Sequence, residues 1–126
     1  MGCCALGICL SVVFGAFGSH ALTRVLSPGK LEVFNKANHY LAIQSLGILI
    51  LLALKSTTKY AISSAAIYIL LAGMCLFCAA LYLVSFSELE GMQGLRVFGI
   101  VAPFGGTAMV LGWALAATGF FRTKNL

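Results

Sequence analysis

Four long apolar stretches, separated by short segments that carry nearly all of the charges, make up most of this chain. They cover residues 3–22, 37–54, 61–87 and 97–121. A helix rises about 1.5 Å per residue, so roughly 20 apolar residues cross a hydrocarbon core of about 30 Å. The pattern predicts an all-α polytopic membrane protein, a single transmembrane domain over residues 1–126 with four transmembrane helices in an antiparallel bundle.

The segment before the second stretch has a mixed pattern. Ser27 followed by Pro28 is typical of a helix N-cap and the first helical position. Residues 28–36 then alternate charged and apolar side chains. We expect this interfacial segment to run through the headgroup layer before the chain enters the hydrocarbon at Ala37.

The fourth stretch contains a helix breaker. Pro103 lacks the N–H that would bond to the preceding turn, and Gly105 and Gly106 loosen the turn that follows. Pro inside a helix kinks it, and backbone freed in this way must be satisfied by protein or by a polar cavity. The sequence predicts that helix 4 is kinked at Pro103.

Small residues recur at four-residue spacing on two of the helices. Such stripes let helix backbones approach closely, and in lipid van der Waals contact drives helix association. We interpret them as helix-packing faces, within the bundle or against another subunit. The stripes consist of Gly7, Ser11, Gly15 and Ser19 on helix 1, and of Ala108, Gly112 and Ala116 on helix 4.

Composition and charge agree with a membrane protein and exclude one class of partner. Hydrophobic residues are 61% of the chain and charged residues 9%, against roughly 25% charged in soluble domains. The formal charge is +5, but no basic face with interleaved aromatic residues is present, so nucleic-acid binding is excluded and lipid headgroups are the expected partners. The basic residues stand at the ends of the stretches: Arg24, Lys30, Lys36, Lys55, Lys59, Arg96, Arg122 and Lys124.

The orientation depends on a small charge difference. Lys and Arg divide equally between the two sides, while Glu32, Glu88 and Glu90 all stand opposite the termini. With the free amino group, this favours both termini on the cytoplasmic or matrix side.

Several motifs together resemble the YgdD-like family of small four-helix membrane proteins, whose function is uncharacterised. They are GAFGSHAL at 15–22, FCAALY at 77–82, PFGG at 103–106 and LGW at 111–113. The resemblance covers essentially the whole chain. It implies an all-α membrane fold in a bacterial inner membrane or an organellar inner membrane, and it implies no activity.

The chain departs from that family at two places. Gln44 stands where the family often has His, and Cys78-Ala79-Ala80 stands where it has Ser-Gly-Ser. Both changes remove polar groups from the membrane interior, so any polar site shared by the family is weakened in this member.

Catalytic chemistry has little support in the sequence. The chain contains no Asp, its three Glu lie between apolar stretches, and no nucleophile–base pair or phosphate-binding loop is present. Cys75 and Cys78 have Cys-x-x-Cys spacing without a second pair of ligands, and buried Cys behaves as a small apolar residue. We therefore expect no enzyme, no catalytic residue, no cofactor and no metal site.

Polar residues inside membrane helices are costly and are the candidates for function. His20 closes helix 1, and His39, Tyr40 and Gln44 follow one another in helix 2. Together they form a candidate polar site, either a proton relay or a pocket for a quinone or a lipid headgroup. In the other interpretation the two His are interfacial residues bonded to helix ends and headgroups.

Three functions remain open, and one of them, a membrane-integrity or lipid-organising protein, has no specific sequence signal. The first is a structural or accessory subunit packed into a larger membrane assembly, with other membrane-protein subunits or further copies of the chain as partners. The alternative is a small oligomeric transporter or channel with a polar site near His20, His39 and Gln44.

Overall fold

The computed structural model describes residues 1–57 and 61–123, and within them it contains α-helices, 3-10 helices and no strand. The long helices are α1 (Gly2–His20), α2 (Pro28–Thr57), α3 (Ser64–Ser85) and α4 (Ala102–Thr123). Short 3-10 helices span Leu22–Arg24, Phe86–Glu88 and Gln93–Ile100. Lys59 and Lys124, two of the basic residues expected at the ends of spans, lie outside the described residues.

In the described part of the chain, four helices are long and apolar enough to cross a membrane. Each closes its own backbone hydrogen bonds, and this is the condition for crossing hydrocarbon. The predicted all-α, four-span fold is therefore confirmed.

The helices pack in chain order. α1 packs against α2, α2 against α3 and α3 against α4, so α2 and α3 form the central pair. The core lies mainly where α2, α3 and α4 meet, around the fully buried side chains of Ile48 and Leu70. Cys4 joins this core from α1 and is 1% exposed.

The small-residue stripe of α1 faces α2 of the same chain. A Cβ added at Gly7 would collide with the Ser45 hydroxyl, and one added at Gly15 would lie 3.2 Å from the Asn38 amide nitrogen. Ser11 is buried on the same side. The side chain of Ser19, the fourth member of the stripe, lies outside the description.

The stripe of α4 faces α3, and its contact has a glycine on each side. A Cβ at Gly112 would lie 2.7 Å from Leu70, and one at Gly73 of α3 would lie 3.0 Å from the Cβ of Ala108. Ala116 is fully buried. Gly105 and Gly119 extend the stripe, because a Cβ on either would lie under 3.0 Å from the α3 backbone or the segment that precedes it.

The break in the fourth apolar stretch lies just before Pro103. The 3-10 helix Gln93–Ile100 ends at Val101, and α4 begins at Ala102. Pro103 thus stands in the first turn of α4, where N–H groups have no partner within the helix. The kink expected at Pro103 is in fact a change of helix type two residues earlier, and α4 continues from there with Pro103 as a compatible first-turn residue.

The N-terminus of α2 and the C-terminus of α3 cap one another. The Ser27 backbone N–H and hydroxyl both donate to the Glu88 carboxylate, the hydroxyl at 2.7 Å. The Lys30 ammonium donates to the Val84 carbonyl at 2.9 Å and to the Ser87 hydroxyl at 2.8 Å. The Glu88 carboxylate at the N-terminus of α2 and the Lys30 ammonium at the C-terminus of α3 each interact favourably with the helix dipole there.

Candidate functional site

The structure does not join the candidate polar residues into one site. His20 is the last residue of α1 and is exposed. His39 is also exposed, and its ring meets that of Tyr40 edge-on, with centroids 6.1 Å apart. Within residues 1–57 and 61–123 no hydrogen bond joins the two imidazoles.

Tyr40 and Gln44 instead line a cleft between α2, α3 and α4, with a volume of about 450 Å³. The remaining lining comes from α3 and α4: Phe77, Gly106, Met109, Val110 and Trp113. Because Val110 is 69% exposed and Tyr40 is 40% exposed, the cleft opens at the lipid-facing surface.

One hydrogen bond crosses the inner end of this cleft. The indole N–H of Trp113 donates to Gln44 Oε1 at 2.8 Å. Gly47 makes room for the indole, because a Cβ there would lie 2.8 Å from the ring. An indole is a donor only, so Gln44 must present its carbonyl oxygen to Trp113.

The amide NH₂ of Gln44 is therefore turned away from Trp113. Gln44 is 9% exposed, and the bond to Trp113 is its one side-chain hydrogen bond within the described part of the chain. No fully buried side-chain nitrogen lacks a partner there. The NH₂ consequently reaches the accessible space of the cleft, where it offers two N–H donors.

A second polar contact lies in an aromatic cluster at the end of the molecule where α2 begins. The Tyr82 hydroxyl donates to Asn38 Oδ1 at 3.2 Å. Phe14 and Phe34 meet the Tyr82 ring edge-on, each with centroids 5.1 Å away. This arrangement satisfies the side-chain oxygen of Asn38 inside the protein and connects α1, α2 and α3.

Comparison with known proteins identifies the family. Residues 14–106 match the model of a family described as proteins of unknown function (DUF423). The chain belongs to the DUF423 family. The sequence resemblance implied a family of small membrane proteins of uncharacterised function, and the match shows one.

Two similar curated proteins are named as membrane proteins. A UPF0382 membrane protein of Staphylococcus saprophyticus is 30% identical over 118 residues, which are 94% of this chain and 92% of the relative. A UPF0382 membrane protein of Staphylococcus haemolyticus is also 30% identical, over 94% of this chain and 91% of the relative. No solved structure matches the chain. This DUF423 protein is thus a small membrane protein of an uncharacterised family.

Side chains of the types that can ligate metals are not grouped in the described part of this DUF423 protein. No group of three or more His, Cys, Asp or Glu side chains occurs in the residues that the structure describes. Of the Cys-x-x-Cys pair, Cys78 is buried in the core and Cys75 is exposed. The arrangement offers hydrogen bonding and apolar packing, and none of the described geometry prepares a nucleophile.

Trp113 was not among the site residues expected from the sequence. The signal that points to it is a single Trp in the middle of an apolar stretch. Trp in membrane helices usually lies near the lipid–water interface, so a Trp at mid-helix needs a partner for its N–H. The only amide side chain near the middle of another stretch is that of Gln44.

Proposed function

We propose that this DUF423 protein is a structural or accessory subunit packed into a larger membrane assembly, and that it has no catalytic activity. The observation that carries the proposal is the position of α1, which packs against α2 and leaves an apolar face uncovered. That face includes Leu6, Leu10, Val13 and Phe17, which are between 45% and 64% exposed.

The uncovered face of α1 borders a hollow. A wholly apolar hollow of about 270 Å³ lies between α1 and the ends of α2 and α3, lined by Val13, Phe17 and Phe34 among others. Helix association in lipid depends on close van der Waals contact. A side chain from another subunit fills such a hollow with more contacts than a mobile acyl chain makes.

The internal hydrogen bonds support a scaffold role. Asn38 is bonded to Tyr82, and Gln44 is bonded to Trp113. The small-residue stripes are used within the chain, so they are not available as docking faces. The docking surface in this proposal is therefore the hollow beside α1.

The test is native-gel migration of the protein extracted from its own membranes in mild detergent, with mass spectrometry of the band. We expect co-migration with a large complex. Val13→Trp, which blocks the hollow, should release the protein from the complex. Leu111→Trp on the exposed face of α4 is the matched control and should stay bound. Migration of the unaltered protein alone would contradict the accessory role.

A second function is favoured by one observation, the presence of Tyr40 and Gln44 in one cleft. In this alternative the chain is a small oligomeric transporter or channel with a polar site near His20, His39 and Gln44. It requires a discrete homo-oligomer on the native gel and a loss of host phenotype in His20→Ala or His39→Ala at normal protein abundance. Unchanged phenotype in both variants would contradict a role for the histidines.

The location and orientation belong to the same proposal. The YgdD-like grouping implies a bacterial or organellar inner membrane, and the charge distribution favours both termini on the cytoplasmic or matrix side. Glu90→Cys, in the exposed turn on the opposite side, should then react with an impermeant maleimide added to intact cells or mitoplasts. Reaction only after permeabilisation would show the opposite orientation, with both termini on the outer side of the membrane.

A further inference from the structure

The cleft between α2, α3 and α4 has the size and walls of a site for a small lipophilic molecule. Its volume is about 450 Å³, and ligand pockets commonly measure about 300–1,000 Å³. Three aromatic rings line it, those of Tyr40, Phe77 and Trp113. Tyr40 and Phe77 already meet edge-on, with centroids 5.0 Å apart. Such rings pack well against a flat ring of a ligand.

The polar group of the cleft, the Gln44 amide NH₂, favours a ligand that carries a hydrogen-bond acceptor. The amide NH₂ of Gln44 is a donor without a protein partner in the described residues. Leaving a donor unpaired in hydrocarbon is unfavourable. A ligand that carries a carbonyl oxygen removes this cost, whereas a plain hydrocarbon does not.

The position of Gln44 relative to the bilayer midplane limits which molecules can supply that carbonyl oxygen. Along α2, Gln44 lies about 21 Å beyond Lys30 and about 16 Å before Lys55 at 1.5 Å per residue. The two lysines stand at opposite ends of the helix, so Gln44 lies near the bilayer midplane. Phospholipid ester groups belong to the interface, about 15 Å from the midplane. The carbonyl must therefore belong to a molecule that resides within the hydrocarbon core.

We propose that the cleft lined by Tyr40, Gln44, Phe77 and Trp113 binds a quinone-type lipophile, a flat ring with a carbonyl oxygen, through the Gln44 amide NH₂. The ring lies between the aromatic side chains, and its apolar tail leaves through the opening beside Val110. The cleft shares no lining residue with the hollow beside α1. The inference is therefore independent of the accessory role.

Trp113 provides a direct assay, because it is the only Trp in the chain and it lines the cleft. The purified protein is reconstituted in vesicles of phosphatidylethanolamine and phosphatidylglycerol and titrated with a short-tailed ubiquinone, which quenches indole fluorescence on contact. We expect saturable quenching. The dimethyl ether of the corresponding hydroquinone, which has the same tail and no carbonyl, should compete at least about fivefold more weakly, the effect of one hydrogen bond.

Two variants test the placement of the ligand. A Cβ at Gly106 would lie 3.7 Å from the Phe77 ring, an ordinary contact, so Gly106→Leu fills the cleft without separating α3 from α4. It should raise the Kd at least about tenfold. Ala16→Leu on the exposed face of α1 is the matched control and should leave the Kd unchanged. Gln44→Met removes the donor and should raise the Kd about fivefold.

Three results of these titrations would overturn the inference. They are quenching that rises without saturation, equal effects of Gly106→Leu and Ala16→Leu, and an unchanged Kd in Gln44→Met. Vesicles that contain phospholipids brominated near the chain ends test whether a lipid acyl chain occupies the cleft instead of a quinone-type ligand. If those chains quench Trp113 and the ubiquinone adds no saturable quenching, an ordinary lipid chain fills the cleft and no quinone-type ligand binds there.

Discussion

At the residue scale, the pair formed by Gln44 and Trp113 shows how one hydrogen bond fixes a polar group inside the membrane. The bond joins residues 69 positions apart in the chain. Hydrogen bonds between membrane helices contribute about 0.6 kcal/mol on average and up to about 1.7 kcal/mol. The pair also determines which end of the Gln44 amide faces the cleft, so its structural and its proposed binding roles are linked.

We expect Gln44→Met and Trp113→Phe each to lower the free energy of unfolding by about 1 kcal/mol, because each leaves the other group without its partner. The double variant should be less destabilised than the sum of the two, since both remove the same bond. Circular dichroism during unfolding in mixed sodium dodecyl sulfate micelles measures all three. Strict additivity would contradict a direct bond.

The hydrogen bonds between Ser27 and Glu88 make the stability of the protein depend on pH. In the turn after α3, the hydrogen bonds from Ser27 hold the pKa of the Glu88 carboxyl below its ordinary value, with a smaller contribution from the Lys30 charge. A carboxyl with a lowered pKa stabilises the folded state above its ordinary pKa, and this contribution is lost as the pH falls through the folded value.

Glu88→Gln should therefore lower the Tm near neutral pH and flatten the fall in Tm that the unaltered protein shows between about pH 5 and pH 2. Thermal melts in detergent across this range measure the effect. Glu90→Gln, at an exposed position in the same turn, is the control and should keep the unaltered profile. A Glu88→Gln profile that follows the control would show that the cap does not contribute.

At the element scale, α3 and α4 meet so closely that adjacent glycines have different roles. A Cβ at Gly105 would lie 2.6 Å from the Phe77 backbone nitrogen and 2.9 Å from the Gly73 carbonyl oxygen. Backbone atoms cannot move aside as a flexible side chain does, so α3 and α4 would have to separate. At Gly106 the added atom would make only ordinary contacts with the Phe77 ring.

We expect Gly105→Ala to destabilise the protein by about 1–3 kcal/mol through overpacking. Gly106→Ala should be neutral or stabilising by up to about 1 kcal/mol, because Ala favours the helix. The two variants differ by one position and are compared by the same micelle unfolding experiment. Equal effects would show that α4 does not approach α3 in this register.

The element scale also explains why the break in the fourth stretch differs from the expectation. Pro103 indicates a helix break in the sequence, and the structure places the break two residues earlier, at Val101. The sequence does not reveal that the preceding Gln93–Ile100 segment forms a 3-10 helix packed against α3. This 3-10 helix ends before Pro103, and the proline lies in the first turn of the next helix, which begins at Ala102.

At the scale of the whole molecule, α1 is the peripheral helix. α2, α3 and α4 supply most of the core, and α1 joins them through small residues opposite Ser45 and Asn38. We therefore expect that α1 can be displaced from α2 while the hydrogen bond between Gln44 and Trp113 is retained. This division also supports the proposal that α1 carries the docking surface.

Gly7→Val should move α1 away from α2, because its side chain collides with the Ser45 hydroxyl. In a background where Cys4 is the only cysteine, we expect its reaction with a membrane-permeant thiol reagent to become at least about tenfold faster, since Cys4 is 1% exposed in the packed state. Trp113 emission should not change. Gly2→Val, where an added Cβ meets nothing within 4 Å, is the control, and equal Cys4 reactivity in both variants would contradict this arrangement.

The number and the helical nature of the spans follow from the sequence alone. These are local properties, because backbone polar groups in lipid must be satisfied within each helix, and about 20 apolar residues suffice to cross the core. The stripes of small residues also showed which helix faces allow close approach. His20 and His39 looked like partners because the sequence places them near one surface, and nothing local shows that both are exposed.

The faces at which the helices meet became visible in the folded chain. Helix association in lipid results from van der Waals fit and a few hydrogen bonds between helices, and both depend on residues far apart in the chain. Thus Gly7 faces Ser45, Gly112 faces Leu70 and Gln44 bonds to Trp113. The cleft beside Gln44 exists because three helices converge around it, and no single apolar stretch contains the information that places them there.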